Sequence, residues 1–172
     1  SLFVFTYNYR LSQEKWSYFE DSGSSVSIDS GWEIHFSDSV RYRMDSLFSW
    51  TELPFPWARY YSGNAKYTAH FTLEDSMLDK DFIRIDPGTV REMATYRLNG
   101  TDVGNTWSVP YRLDVPIHLF EKDNLLEIEV TNLDINRIIR LDKKNTDWKN
   151  FHDINFVDIT YQPFDASEWE PM

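Results

Sequence analysis

Apolar and polar side chains alternate most clearly between residues 83 and 136, where short runs are separated by turn residues. In one run, Ala94, Tyr96 and Leu98 alternate with polar residues. Side chains two positions apart lie on the same face of a β-strand, so this run predicts a strand with one apolar face. It ends at Asn99-Gly100, a dipeptide that tolerates the positive φ angles of a two-residue turn. The sequence therefore predicts a β-hairpin here.

A second run of the same kind follows the hairpin. Leu126, Ile128 and Val130 alternate with glutamate and threonine side chains. Antiparallel sheets commonly pack one face on the core and leave the other face in water, and this pattern is typical of them. Trp107 and Tyr111 lie between the two runs, in a connecting loop, where sheet proteins often carry their binding residues.

Similar runs extend along the rest of the chain. Residues 65–73 form the longest alternating run and predict a central strand. A helical turn is predicted at residues 45–53, ended by Pro54 and Pro56. Further strands are predicted at residues 26–36, 82–86, 93–99, 111–115, 125–131 and 154–161, with residues 2–9 and 16–20 as strands or a peripheral extension. About eight to ten short strands without a long helix indicate a sandwich or a barrel.

Charge and composition exclude several classes of partner. The chain of 172 residues carries 28 acidic and 17 basic side chains, a net charge of -11. This field repels phosphate backbones and anionic lipid headgroups, so we expect neither nucleic acid nor a membrane as a partner. No apolar run is long enough to span a membrane. Cysteine is absent, which excludes disulfides, thiolate metal sites and a thiol nucleophile.

Several motifs occur in an order that is typical of one family. LNGTDVGNTWSVPYRLDV and NLLEIEVTNLDINR are preceded by GWEIHFSDSV and by SLFSWTELPFPWARYYSGNAKYTAHFTL. In this order they resemble the galactose-binding-like domain of large bacterial glycoside hydrolases, such as the family 2 hydrolases and the family 106-type α-L-rhamnosidases. The resemblance covers roughly residues 31–159. Residues 138–142 depart from the family pattern, so residues 138–150 are left open between helix and loop.

The resemblance implies a fold, a role and a place in the cell. The fold is an all-β, antiparallel β-sandwich of the jelly-roll type over residues 31–162, with residues 1–30 as an N-terminal extension and residues 163–172 as a C-terminal tail. The role is that of a non-catalytic accessory domain, which binds a saccharide weakly or braces the catalytic domain of the same polypeptide. The chain begins with Ser1, and we expect an excised domain whose parent is secreted or periplasmic. A structural interaction domain without ligand is the competing hypothesis.

Aromatic residues suggest where a saccharide would bind. The chain has 7 Trp, 10 Tyr and 12 Phe, more than a sandwich core requires, so some rings should be exposed. Flat rings stack on the apolar face of a pyranose, and amide or guanidinium groups bond its hydroxyls. Trp107, Tyr111, Arg112 and Asn105 combine these groups in one loop. The alternative is that Trp107 and Tyr111 close the end of the sandwich or pack against a catalytic domain.

Two further clusters have a similar composition. One combines the aromatic residues Trp57 and Tyr60 with their neighbours Arg59 and Tyr61. Adjacent strand residues face opposite sides, so only one of the two tyrosines can point outward, and packing at the sheet edge is the favoured interpretation. The other cluster is polar and comprises Asn132, Asn136 and Arg137.

Evidence for catalysis or for a cofactor is limited to carboxylates. The usual metallopeptidase, serine-hydrolase and nucleotide-binding motifs are absent from the sequence. Two carboxylates suffice for glycoside hydrolysis, and Glu127 and Glu129 could supply them in a small autonomous glycosidase, although a solvated strand face explains them as well. No cofactor is predicted. A structural Ca²⁺ is conceivable at the acidic residues Glu74, Asp75, Asp79 and Asp81, for which solvated charge is the favoured interpretation.

Overall fold

The structure is a computed structural model that describes residue 8 and residues 22–36, 40–148 and 164–172. The strands predicted at residues 16–20 and 154–161, and all of residues 2–9 except residue 8, lie outside the described residues. Eight strands are present in the described part: β1 (Trp32–Phe36), β2 (Val40–Met44), β3 (Asn64–Thr72), β4 (Phe82–Ile85), β5 (Met93–Leu98), β6 (Thr101–Thr106), β7 (Leu113–Pro116) and β8 (Asp123–Thr131). The helices are α1 (Asp75–Leu78) and α2 (Ile135–Lys143), with short 3-10 helices at Trp50–Glu52, Ala58–Tyr60 and Ile117–Leu119.

The strands form two antiparallel sheets. Six of them lie in the order β2-β1-β3-β8-β5-β6, and β4 pairs with β7 in a second, two-stranded sheet. Every strand pair is antiparallel. The all-β, antiparallel sandwich predicted from the sequence is therefore confirmed.

One face of the large sheet is apolar from strand to strand. In a row across it, Ile34 pairs with Tyr67, Tyr67 with Ile128, and Ile128 with Tyr96. All four side chains are buried. The Tyr96 hydroxyl lies 2.9 Å from the hydroxyl of buried Thr106, so its polar atom is bonded inside the core. Each fully buried aliphatic side chain, such as Ile34, contributes roughly 1.5 to 3 kcal/mol to the free energy of folding.

Two different structures cover this apolar face. The β4–β7 pair covers one half through a cluster that includes Leu98, Val115 and Phe120. Over the other half lies a segment, residues 48–61, that is rich in aromatic side chains. Within it Trp50 stacks nearly parallel to Tyr67, with ring centroids 6.4 Å apart and an angle of 16° between the planes.

Several local predictions can be compared with the structure. The strands predicted around residues 65–73, 82–86, 93–99, 111–115 and 125–131 are present as β3, β4, β5, β7 and β8. The strand predicted at residues 26–36 is present only as β1, Trp32–Phe36, and β2 was not predicted. The helical turn predicted at residues 45–53 is restricted to Trp50–Glu52, because the hydroxyl of Ser49 accepts a hydrogen bond from the Thr51 N–H and so begins the helix late. Residues 135–143, left partly open by the sequence, form α2.

The hairpin turn is confirmed and can be tested. Asn99 and Gly100 have φ angles of 51° and 80°. A Cβ atom added at Gly100 would meet no atom within 4 Å, so a side chain there is opposed by backbone strain alone. We expect Gly100→Val to lower the free energy of unfolding by about 1 to 3 kcal/mol, as measured by urea denaturation. Thr101→Val, at the next exposed position, is the matched control and should change stability little. Wild-type stability of the Gly100 variant would contradict the turn geometry.

Candidate binding surfaces

The loop between β6 and β7 exposes the largest apolar side chains near the hairpin. Trp107 is 74% exposed and Val109 is 78% exposed. Asn105 and Trp107 are both exposed and flank buried Thr106. The alternation of β6 therefore places both side chains on the solvent side. The end of β6 thus presents a largely exposed indole ring and, two residues earlier, an exposed amide.

The other two predicted residues of this loop are held in place. Tyr111 is half-buried and packs against the core. The Arg112 Nε donates a hydrogen bond to Asp86 Oδ2 at 2.8 Å. Asp86 also accepts a bond from the Gly88 N–H, which together with Arg112 lowers the pKa of its carboxyl group. The loop is therefore tied to the end of β4.

In the second cluster one tyrosine faces inward and the other outward. Tyr61 packs edge-on against Phe36 at a centroid distance of 5.0 Å, and its hydroxyl donates to the Asn64 carbonyl. Trp57 also packs against Phe36, at 4.9 Å. Tyr60 instead lines a pocket of about 500 Å³. The residues around this pocket, which we call the cationic pocket, are Pro56, Trp57, Tyr60, Arg140, Lys143 and Lys144.

In the third cluster the two amides are used internally. Asn136 is completely buried, and its amide forms two hydrogen bonds with the backbone of Met172. Asn132 accepts a bond from the Gly63 N–H and donates one to the Tyr61 carbonyl. Arg137 is exposed and faces Asp134 at 3.9 Å. Of this cluster, the arginine therefore remains at the surface, while Asn132 braces the turn at residues 61–63 and Asn136 holds the backbone of Met172.

The acidic candidates are distributed rather than convergent. Glu127 and Glu129 lie on the solvated face of β8, where Glu127 accepts a bond from Lys66 at 2.7 Å and Glu129 one from Asn64 at 3.1 Å. Each carboxylate is thus engaged by a side chain of β3. Within the described ranges, no three acidic or histidine side chains are grouped so that they could hold a metal ion.

The sequence reasoning missed the basic side of the cationic pocket. Arg140, Lys143 and Lys144 belong to α2 and its C-terminal cap. A signal was present, because Ile135, Ile138 and Ile139 have the three- and four-residue spacing of an amphipathic helix. The polar face of that helix carries these cations.

Comparison with known proteins relates the chain to a small part of much longer enzymes. No family model matches it. It is 36% identical over 129 residues to a protein of Formosa agariphila named "Putative beta-glucuronidase", an alignment that spans 72% of this chain and 11% of that protein. The chain resembles one segment of a glycoside hydrolase.

Solved structures support the fold. A rhamnosidase from Novosphingobium sp. PP1Y superposes with a TM-score of 0.64 at 24% identity, over 80% of this chain and 14% of that one. A β-glucuronidase from Ruminococcus gnavus, in complex with uronic isofagomine, gives 0.52 at 17% identity, over 62% and 20%. These values establish a shared fold.

Among the described residues, no helix has the length and apolar character needed to cross a membrane.

The tether between Asp86 and Arg112 predicts a pH-dependent contribution to stability. The pKa of Asp86 is lowered in the folded state, so its ionised form stabilises the fold above the unfolded pKa of about 3.9, and this contribution is lost as the pH falls through the lowered value. We expect Asp86→Asn to cost at most about 1 kcal/mol at neutral pH, since both side chains are partly exposed. On acidification the difference from wild type should disappear.

The measurement is urea denaturation of both proteins across the acidic range. Asp79→Asn removes an exposed carboxylate from another part of the surface and serves as the control, for which little change is expected at any pH. Equal stability of wild type and Asp86→Asn at neutral pH would show that the tether contributes nothing.

Proposed function

We propose that this chain is a non-catalytic accessory domain of a glycoside hydrolase, with a galactose-binding-like, jelly-roll topology, and that it binds a saccharide weakly through the Trp107 loop. The observation that carries the proposal is the exposure of Trp107, 74%, on a loop fixed to a sheet. Trp107 and Val109, two residues apart, are both largely exposed, and exposed apolar patches commonly mark interaction sites.

The loop offers the groups that a saccharide requires. The indole face of Trp107 supplies a flat apolar surface for the C–H face of a pyranose. Asn105 supplies an amide that can donate and accept, and Arg112, oriented by Asp86, supplies a guanidinium group. The contact is shallow, and a sugar already bonds well with water, so a modest affinity is expected.

The setting is supported by the lengths of the relatives. This chain corresponds to 11% of the Formosa agariphila protein and 14% of the Novosphingobium rhamnosidase. A catalytic domain elsewhere in the same polypeptide is therefore a proposed partner, and a secreted or periplasmic location is proposed with it.

A second candidate function is to brace such a catalytic domain without binding a ligand. The observation that favours it is Val109, which is 78% exposed beside Trp107. A valine offers no hydrogen bond to a sugar, whereas an adjacent valine and tryptophan together suit an apolar protein surface. The two functions differ in what covers Trp107.

Substitution of Trp107 separates the two candidates. We expect Trp107→Ala to cost about 1 to 3 kcal/mol of binding free energy, a roughly tenfold to hundredfold loss of affinity, because the stacking face is removed. The melting temperature should not change, since the ring is exposed. Glycan arrays followed by calorimetric titration measure the first effect, and thermal denaturation the second.

Trp169→Ala is the matched control, because Trp169 is also a surface tryptophan, 48% exposed, in the C-terminal segment. It should leave glycan binding intact. Absence of glycan binding by both the wild type and Trp107→Ala would reject the saccharide function at this loop and favour the brace.

A further prediction concerns catalysis. We expect the isolated domain to release no product from a panel of aryl glycosides, because Glu127 and Glu129 are each engaged by a β3 side chain. Release that disappears in Glu127→Gln or Glu129→Gln would instead support the autonomous glycosidase.

A further inference from the structure

The cationic pocket has one rigid aromatic wall. Trp57 stacks on Phe55, with centroids 5.8 Å apart and planes at 14°, and meets Phe36 at 81°. An indole held by two neighbours in the core keeps its position when a ligand arrives, so little ordering cost accompanies binding. This wall is set by the fold.

Tyr60 completes the aromatic side. It is half-buried, and its hydroxyl makes no hydrogen bond with the residues that the structure describes. It lies in the 3-10 helix Ala58–Tyr60, whose next residue, Tyr61, is turned into the core. Tyr60 therefore lines the pocket, and its phenol group bonds none of the described residues.

Basic residues form the rest of the pocket lining, apart from Pro56. Arg140, Lys143 and Lys144 line it, and no acidic residue does. Lys143 donates to Glu170 at 3.1 Å, and Arg59 also pairs with Glu170. Arg140 and Lys144 form no ion pair within the described part of the chain. In a chain with a net charge of -11, this is a local concentration of positive charge.

The end of α2 explains part of this charge. Basic side chains interact favourably with the C-terminal end of a helix, and this accounts for cations in the last turn. It does not account for a pocket that the same basic residues line together with Trp57 and Tyr60. A volume of about 500 Å³ is within the range of small-ligand sites, and the aliphatic stems of lysine and arginine add apolar wall below their charged ends.

We infer that the cationic pocket binds an anionic saccharide, a pyranose that bears a carboxylate. Arg140 and Lys144 pair with the carboxylate, for which a guanidinium group offers parallel donors. Tyr60 and Trp57 contact the C–H face of the ring. The saccharide class rests on the proposed accessory function, but this site uses none of the residues of the Trp107 loop and is independent of it.

The test is an NMR titration of the full chain, followed through its backbone amides. The probe is tetragalacturonate, and its methyl ester is the neutral match. We expect the acid to shift amides near Tyr60 and Arg140, and the ester to bind at least about tenfold more weakly. Equal binding of acid and ester, or no binding of the acid, would overturn the proposal.

Two further probes identify the anion. Inorganic phosphate should shift the same amides only at much higher concentration, because it lacks the ring that Tyr60 and Trp57 contact. A sulfated dextran oligosaccharide tests the other common anionic group of saccharides. Phosphate as effective as the uronate would mean a nonspecific anion site, and tighter binding of the sulfated probe would overturn the carboxylate assignment.

Variants assign the contacts. Arg140→Gln and Tyr60→Ala should each weaken tetragalacturonate binding by about five- to tenfold. Lys80→Gln removes one exposed positive charge outside the pocket and should weaken it less than about twofold. Glu170→Gln should tighten binding, since it removes the acid that competes for Lys143. A loss in Lys80→Gln equal to that in Arg140→Gln, or weaker binding in Glu170→Gln, would contradict the site.

The variants also separate this inference from the proposed function. In Trp107→Ala, the shifts that tetragalacturonate causes in amides near Tyr60 and Arg140 should persist, because no residue of the Trp107 loop lines the pocket. If neutral glycans fail to bind while the uronate binds at the pocket, the saccharide function of the Trp107 loop fails and the cationic pocket stands. If uronate binding is lost in Trp107→Ala but kept in Arg140→Gln, the loop is the saccharide site and the pocket is not.

Discussion

The apolar face of the six-stranded sheet is the constraint on which the rest of the structure depends. Its central row, Ile34, Tyr67, Ile128 and Tyr96, must be kept from water across four strands. The described second sheet has only two strands, so it covers one half of this face. The other half is covered by the aromatic segment, residues 48–61. Most of the aromatic rings in the described residues therefore belong to the core or pack against it.

The packing of residues 48–61 on the sheet also determines where a pocket can form. Because Trp57 and Tyr61 anchor residues 48–61 on Phe36, the neighbouring Tyr60 is left facing outward. α2 packs beside this segment, and its position is stabilised by the buried amide of Asn136, which bonds the backbone of Met172. Thus two internal packing requirements bring aromatic and basic side chains together at the surface.

Alternation was sufficient to predict β3, β5 and β8, because each strand buries one face. The Asn99-Gly100 dipeptide predicted the hairpin turn. β2 could have been predicted on the same grounds, since apolar Val40, Tyr42 and Met44 alternate with arginines. The arrangement of the candidate binding residues was harder to predict from the sequence. No local pattern shows that the amide of Asn136 bonds a residue 36 positions away, or that Arg140 and Tyr60 line the same pocket. Such contacts depend on how the segments that cover the sheet pack across it. This packing leaves no periodic pattern in the sequence.

The Trp107 loop and the cationic pocket are separate candidate binding surfaces, and each would hold a ligand by different interactions. The Trp107 loop is joined to the β4–β7 half by the pairing of Arg112 with Asp86, and offers an exposed neutral ring. The cationic pocket belongs to the aromatic half and combines rings with charge. Because the surfaces share no residue, substitutions in them should act additively on stability and binding. Salt screens charges, so it should weaken the binding of an anion at the pocket and leave a neutral sugar stacked on Trp107 nearly unaffected. Ionic strength therefore separates the two proposed modes of binding.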